Sequence, residues 1–114
     1  MYKCILQVIV LILSITKLSA QTPFITVWKS DNPGGSATNE IRVPATGSFN
    51  YYFEQVGNPS INGTGSGSGN TTITFPTANT YRLSITPATT SPFSAIRFTG
   101  SFGATDRQKI LAIE

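Results

Sequence analysis

The feature that most constrains the fold of this chain is a pair of alternating stretches, residues 71–75 and 80–85. In both, every second residue is apolar and its neighbours are threonine, serine or arginine. A period of two is typical of a strand with one buried face. Pro76 and Asn79 lie between the stretches and favour a chain reversal, so the segment predicts a hairpin. The apolar positions are Ile73, Phe75, Tyr81, Leu83 and Ile85.

Similar short stretches recur along the chain and are separated by glycine, proline and asparagine. They are residues 24–29, 40–43, 49–56 and 94–99, with a turn predicted at residues 45–48. Residues 105–114 are either one more short strand or the start of a further element. About seven short strands without helical periodicity predict an all-β antiparallel sandwich of immunoglobulin-like type.

Residues 1–20 have the three parts of a signal peptide. Lys3 supplies a basic start, residues 5–15 an apolar core, and small residues precede a predicted cleavage between Ala20 and Gln21. The apolar run is shorter than the roughly 20 residues that cross a bilayer. We therefore expect a signal-peptide helix and contact with a membrane only during export. Since the only cysteine, Cys4, lies in this segment, the exported part has no disulfide, which favours a bacterial source and predicts a secreted or bacterial cell-surface location.

Removal of those 20 residues from 114 leaves a domain of 94, which contains six basic and five acidic residues. A net charge of +1 gives no cationic patch for nucleic acid. The chain has no histidine, and its single cysteine, Cys4, lies in the predicted leader. The commonest general base, thiol nucleophile and transition-metal ligands are therefore missing, so we expect no catalytic residue, cofactor or metal.

Residues 57–70 contain five glycines, one proline and three serines. Such a segment has little apolar surface to offset its ordering entropy, which predicts a flexible Gly/Ser-rich loop. The stretch has no lysine and precedes no predicted helix, so it lacks the parts of a phosphate-binding loop.

The aromatic residues leave two interpretations open. Tyr51 and Tyr81 share the inward phase of their strands, and Trp28 is predicted to be the central aromatic of the core. Tyr52 is on an outward phase. A small carbohydrate-binding module is the alternative function, and it requires the rings of Tyr52 and Trp28 to be coplanar and exposed on one face.

Several stretches also carry a family likeness. Residues 23–34, 41–47 and 49–51 form a threonine-tryptophan strand with a turn, an I-x-[IV]-P-x-T-G strand and a tyrosine-rich strand, and residues 106–114 read D-R-Q-K-I-L-A-I-E. This order resembles the N-terminal, PKD-like domain of BspA-like leucine-rich-repeat surface proteins of Bacteroidetes. Residues 75–85 are similar to the final hairpin of such a domain. The sequence departs from the family at 55–59, where an acidic W-G-D-G turn is usual.

The resemblance implies a PKD-like sandwich at residues 21–105 and a lead-in at 106–114 to a C-terminal repeat region. The domain is then a non-catalytic spacer or cap of an adhesin. Its partners are its own repeats and a host-surface protein or glycan. A cap predicts apolar residues left uncovered at Ile110 to Ile113, and pairing of these residues in the domain's own sheet removes the basis for a cap. An unpaired edge strand beside residues 57–70 would instead favour a pilus or matrix subunit.

Overall fold

The computed structural model describes residues 23–100 and 105–114; the predicted signal peptide and the Ala20–Gln21 cleavage site lie outside them. The described residues form six strands, and every pair of strands is antiparallel. The all-β prediction is confirmed. The strands are β1 (Phe24–Lys29), β2 (Glu40–Gln55), β3 (Asn58–Thr74), β4 (Thr80–Pro87), β5 (Ala95–Ile96) and β6 (Ile110–Ile113).

Five of the strands lie side by side in the order β3-β2-β4-β1-β6, and β5 pairs separately with β2. The predicted strand at 24–29 is confirmed with its bounds, and it pairs with both β4 and β6. The strand expected at 94–99 is only two residues long, although Ile96 and Phe98 still pack against the core. No helix among the described residues is long and apolar enough to cross a membrane.

The turn predicted at residues 45–48 is wrong, because residues 40–43 and 49–55 belong to one 16-residue strand. Both parts pair with β3, and the register shifts between Pro44 and Ser48. The extra residues form a bulge on which β5 pairs. Gly47 makes the bulge possible: its φ is +92°, and a β-carbon there would collide with the carbonyl of Pro92.

The loop predicted at residues 57–70 is also wrong. From Asn58 onward these residues form most of β3, which returns along β2 after a tight turn at Val56 and Gly57. The positive φ of Gly57, +86°, suits such a turn. The composition argument failed because the apolar surface that orders β3 comes from the aromatic side chains of β2.

The predicted hairpin at 71–85 is wrong in its pairing. Both stretches are strands with their apolar residues buried, but β2 lies between β3 and β4 in the sheet. Residues 75–79 therefore connect two strands that are not neighbours. A period of two indicates which face is buried, whereas the partner of a strand depends on residues elsewhere in the chain.

The core lies on one face of the sheet and is rich in aromatic rings. Phe75 and Tyr81 are stacked with ring centroids 3.9 Å apart, and Phe53 packs edge-on against both. Trp28 is fully buried, as predicted, and its indole N–H donates to Thr26 Oγ1 at 2.7 Å. Tyr51, expected in the core, is only half-buried at its margin. The fully buried aliphatic residues are Ile41, Val43, Ile73, Leu83 and Ile85.

Candidate functional site

Two charged side chains near the end of the chain are fully buried in a polar network. Asp106 and Lys109 lie on the turn that precedes β6, and their exposed fractions are 0% and 1%. Their partners belong to the loop between β1 and β2 and to the first residues of β2, about 70 positions earlier in the sequence. The network therefore connects the turn before β6 with the segment that leads from β1 into β2.

The Asp106 carboxylate is surrounded by donors. One oxygen accepts the backbone N–H groups of Gly35 at 2.9 Å and Ser36 at 3.2 Å. The other accepts the Ser36 hydroxyl and the backbone N–H of Arg42 at 2.7 Å. Burial raises the pKa of Asp106, but these hydrogen bonds outweigh it and hold the pKa below its ordinary value of 3.8. The carboxylate is therefore charged and tightly held.

Lys109 is enclosed by acceptors in the same way. Its Nζ donates to the carbonyl oxygens of Ala37 at 2.8 Å, Glu40 at 2.9 Å and Ser36 at 3.3 Å, and to Ser36 Oγ at 2.9 Å. Burial lowers the pKa of Lys109, and the charge of Asp106 opposes that effect. An ammonium group has three protons, and all are used by these acceptors.

The contact between Lys109 and Ser36 resembles a serine–lysine catalytic pair only in its distance. A general base needs a free lone pair directed at the hydroxyl, and here the ammonium is the donor. The nearby N–H groups of Gly35 and Ser36 are already bound to Asp106 rather than directed at an open site. The network is therefore suited to holding the β1–β2 loop against the final turn.

An open depression of about 510 Å³ lies beside this network. It is lined by Pro33, Gly34, Gly35, Thr105, Arg107 and Gln108. A β-carbon on Gly34 would lie 2.6 Å from an Asp106 oxygen and 2.7 Å from Lys109 Cε, so glycine is required for the loop to approach. No group of three or more acidic, histidine or cysteine residues that could hold a metal occurs among residues 23–100 and 105–114.

The structure separates the two aromatic residues proposed for carbohydrate binding. Tyr52 is 38% exposed on β2, and its hydroxyl donates to Glu54 at 3.2 Å. Trp28 is buried in the core and cannot contact a ligand. The prediction of Trp28 as a ligand-contacting residue is therefore wrong, and the pair does not form an exposed platform.

Strand β3 forms a second polar surface, which the prediction of a loop at residues 57–70 does not anticipate. Every second side chain of β3 is exposed, and these residues form a row of asparagine, serine and threonine. The intervening glycines face the aromatic rings of β2, in the register Phe49↔Gly67, Tyr51↔Gly65 and Phe53↔Gly63. The sequence pattern that indicates this pairing is the same period of two in F-x-Y-x-F at residues 49–53 and G-x-G-x-G at residues 63–67. The exposed row is Asn62, Thr64, Ser66, Ser68, Asn70, Thr72 and Thr74.

The C-terminal strand β6 presents an apolar edge. It pairs with β1 on one side and is therefore a strand of the domain's own sheet. Leu111 and Ile113 are nevertheless 52% and 65% exposed, while Ile110 packs against the core. Among the described strands, β6 and β3 are the two edges of the sheet.

Comparison with protein-family models, curated proteins and solved structures finds no match to this chain. Its function must therefore be argued from its own residues.

Proposed function

We propose that this chain is a non-catalytic, exported domain of a bacterial surface protein, with a PKD-like fold, that acts as a spacer beside the leucine-rich repeats of an adhesin. The observation that carries the proposal is the way residues 106–114 are held. Asp106 and Lys109 fix the turn in the fold, and β6 then runs along β1 as an edge strand. This is the stretch that resembles the family's lead-in to its repeats.

The arrangement of β6 favours a spacer over a cap. A cap would need a neighbouring repeat to complete its own sheet, whereas Ile110 to Ile113 already pair with β1. The exposed side chains of Leu111 and Ile113 supply an apolar surface that a repeat can cover. In this proposal β6 is held within the domain's own sheet, and its exposed side chains contact the first leucine-rich repeat.

The alternative of a carbohydrate-binding module has less support. Stacking on sugar needs exposed rings on one face, and the burial of Trp28 leaves Tyr52 without the partner that the hypothesis requires. A polar row on β3 is not a substitute, because its members are short side chains without a ring.

Expression of the full chain in a bacterial host that exports proteins tests its location. A glycan array with the recovered protein tests whether it binds carbohydrate. We expect cleavage after Ala20, recovery outside the cytoplasm, and no signal on a glycan array. Cytoplasmic retention of an uncleaved chain would contradict export. Glycan binding that is lost in Tyr52→Ala but kept in Tyr52→Phe, which retains the ring, would replace the spacer by the carbohydrate-binding alternative. A genomic reading frame that encodes leucine-rich repeats beyond the Glu114 codon supports the adhesin, and a stop codon there contradicts it.

A further inference from the structure

Strand β3 is an edge strand without the usual protection against pairing. Exposed edges in soluble proteins are commonly blocked by charged side chains, by proline or by bulges, because a free row of N–H and C=O groups can pair with another strand. The 17 residues of β3 include no acidic or basic residue. Pro59 and a shift in register at residues 59–61 lie near the start of β3, beside the turn, and leave residues 62–68 without such a block.

The same strand is held in an extended form before any partner arrives. Gly63, Gly65 and Gly67 lie under the rings of β2, and Phe53 is itself fixed by Phe75 and Tyr81. A strand that is already ordered loses less conformational entropy on pairing than a flexible segment does. The glycine–aromatic packing therefore lowers the cost of adding a strand to this edge.

We propose that the β3 edge binds the β3 edge of a second copy of this chain, antiparallel, so that two sheets become one across a twofold axis. A twofold contact places the same surface on both sides, so a charge near the axis would face the same charge on the other copy. Residues 62–68 carry no charge, and their partners on the same exposed face of β2 are Ser48, Asn50, Tyr52 and Glu54. Glu54 lies opposite Asn62 at one end of this stretch, one strand in from the edge, and it is 3.8 Å from the guanidinium of Arg82. Self-pairing therefore meets no like-charge repulsion at its centre.

Side-chain chemistry supports the same partner. Hydroxyl and amide side chains on opposed strands can bond to each other. The molecule already contains one such pair across β2 and β3, where Ser48 Oγ and Ser68 Oγ lie 3.0 Å apart. In the twofold pair, the row of serine, threonine and asparagine on one copy continues into an identical row on the other. This association goes beyond the spacer function and does not depend on the leucine-rich repeats.

Sedimentation equilibrium of the exported chain tests the proposal. We expect a reversible dimer whose dissociation constant rises roughly tenfold in Ser66→Lys and in Ser66→Glu, because like charges then oppose each other at the edge. An equimolar mixture of the two variants should recover dimers, since the opposed charges become complementary. The matched control is Asn50→Lys, which adds a charge opposite Ser66 on the same face but one strand in from the edge. The emission of the single tryptophan, Trp28, checks that each variant is folded.

The possible outcomes distinguish association through the β3 edge from association through the β6 edge. A wild-type chain that stays monomeric overturns the proposal, whether or not it takes up an added extended peptide. Equal weakening by Ser66→Lys and Asn50→Lys also overturns it. Association that persists in Ser66→Lys but is lost in Leu111→Lys assigns the contact to β6 and overturns it as well.

Discussion

The ring of Phe53 lies directly against the backbone of its cross-strand partner Gly63. A β-carbon on Gly63 would be 2.6 Å from Phe53 Cζ, which is closer than carbon atoms can approach. The ring cannot move aside, because it packs against Phe75 and Tyr81 at centroid distances of 4.9 and 5.7 Å. The glycines of β3 are therefore packing positions rather than hinges.

Gly63→Ala should destabilise the fold by about 1–3 kcal/mol, because the added methyl overpacks the Phe53 ring. Chemical denaturation measures this loss. The matched control is Ser66→Ala on the exposed face of the same strand, for which a change within about 0.5 kcal/mol is expected. Equal stability of Gly63→Ala and the parent chain would show that the ring does not occupy this position.

Asp106 should give the fold a distinct acid sensitivity. Its folded-state pKa lies below the ordinary 3.8, so its stabilising contribution is complete above that value and is lost as the pH falls through the folded-state pKa. Asp106→Asn should lower the stability at neutral pH by about 1–3 kcal/mol and lose less stability on acidification. Denaturation curves over this pH range test the difference. Asp31→Asn, at an exposed carboxylate paired with Lys29, is the control and should change little.

Lys109→Met should be more damaging than the loss of an exposed lysine. The substitution leaves the buried carbonyls of Ser36, Ala37 and Glu40 without their charged donor. It also removes the positive charge that favours the ionised form of Asp106, so we expect a cost of about 3 kcal/mol or more. Lys29→Met removes only an exposed ion pair and should cost less than about 1 kcal/mol. Similar thermal midpoints for the two variants would contradict a buried network at Lys109.

Thr26→Val should destabilise the core by about 1–3 kcal/mol, although its shape is nearly unchanged, because the indole N–H of Trp28 then lacks its buried acceptor. Thr26→Ser keeps the hydroxyl and should recover part of the loss. Fluorescence-monitored unfolding is the measurement, since Trp28 is the chain's one tryptophan. Identical stabilities for the valine and serine variants would rule out the hydrogen bond as a contributor.

Sequence periodicity predicts which residues of a single strand are buried, but it does not predict which strands pair with each other. It located β1, the buried phase of Ile73 and Tyr81, and the burial of Trp28, because each follows from alternation within one strand. It could not place β2 between β3 and β4, because pairing depends on residues far apart in the chain. Residues 57–70 were misjudged for the same reason: their apolar cover belongs to another strand.

The network of Asp106 and Lys109 was equally hidden from the sequence. Their spacing is that of ordinary solvated charges in a turn, and nothing in residues 106–109 indicates burial. The acceptors around Lys109 are mostly backbone carbonyls of residues 36–40, which carry no side-chain signature. The structural role of the two charges therefore follows only from their contacts in the fold.

The most direct test of this account is NMR of the isotope-labelled protein. If β3 is a strand packed by the rings of β2, the Phe53 ring protons will show cross-strand contacts to the Gly63 α-protons, and the Gly63–Ser68 amides that face β2 will exchange slowly. Random-coil shifts and uniformly fast exchange over residues 58–70, with no contact between Phe53 and Gly63, would contradict it.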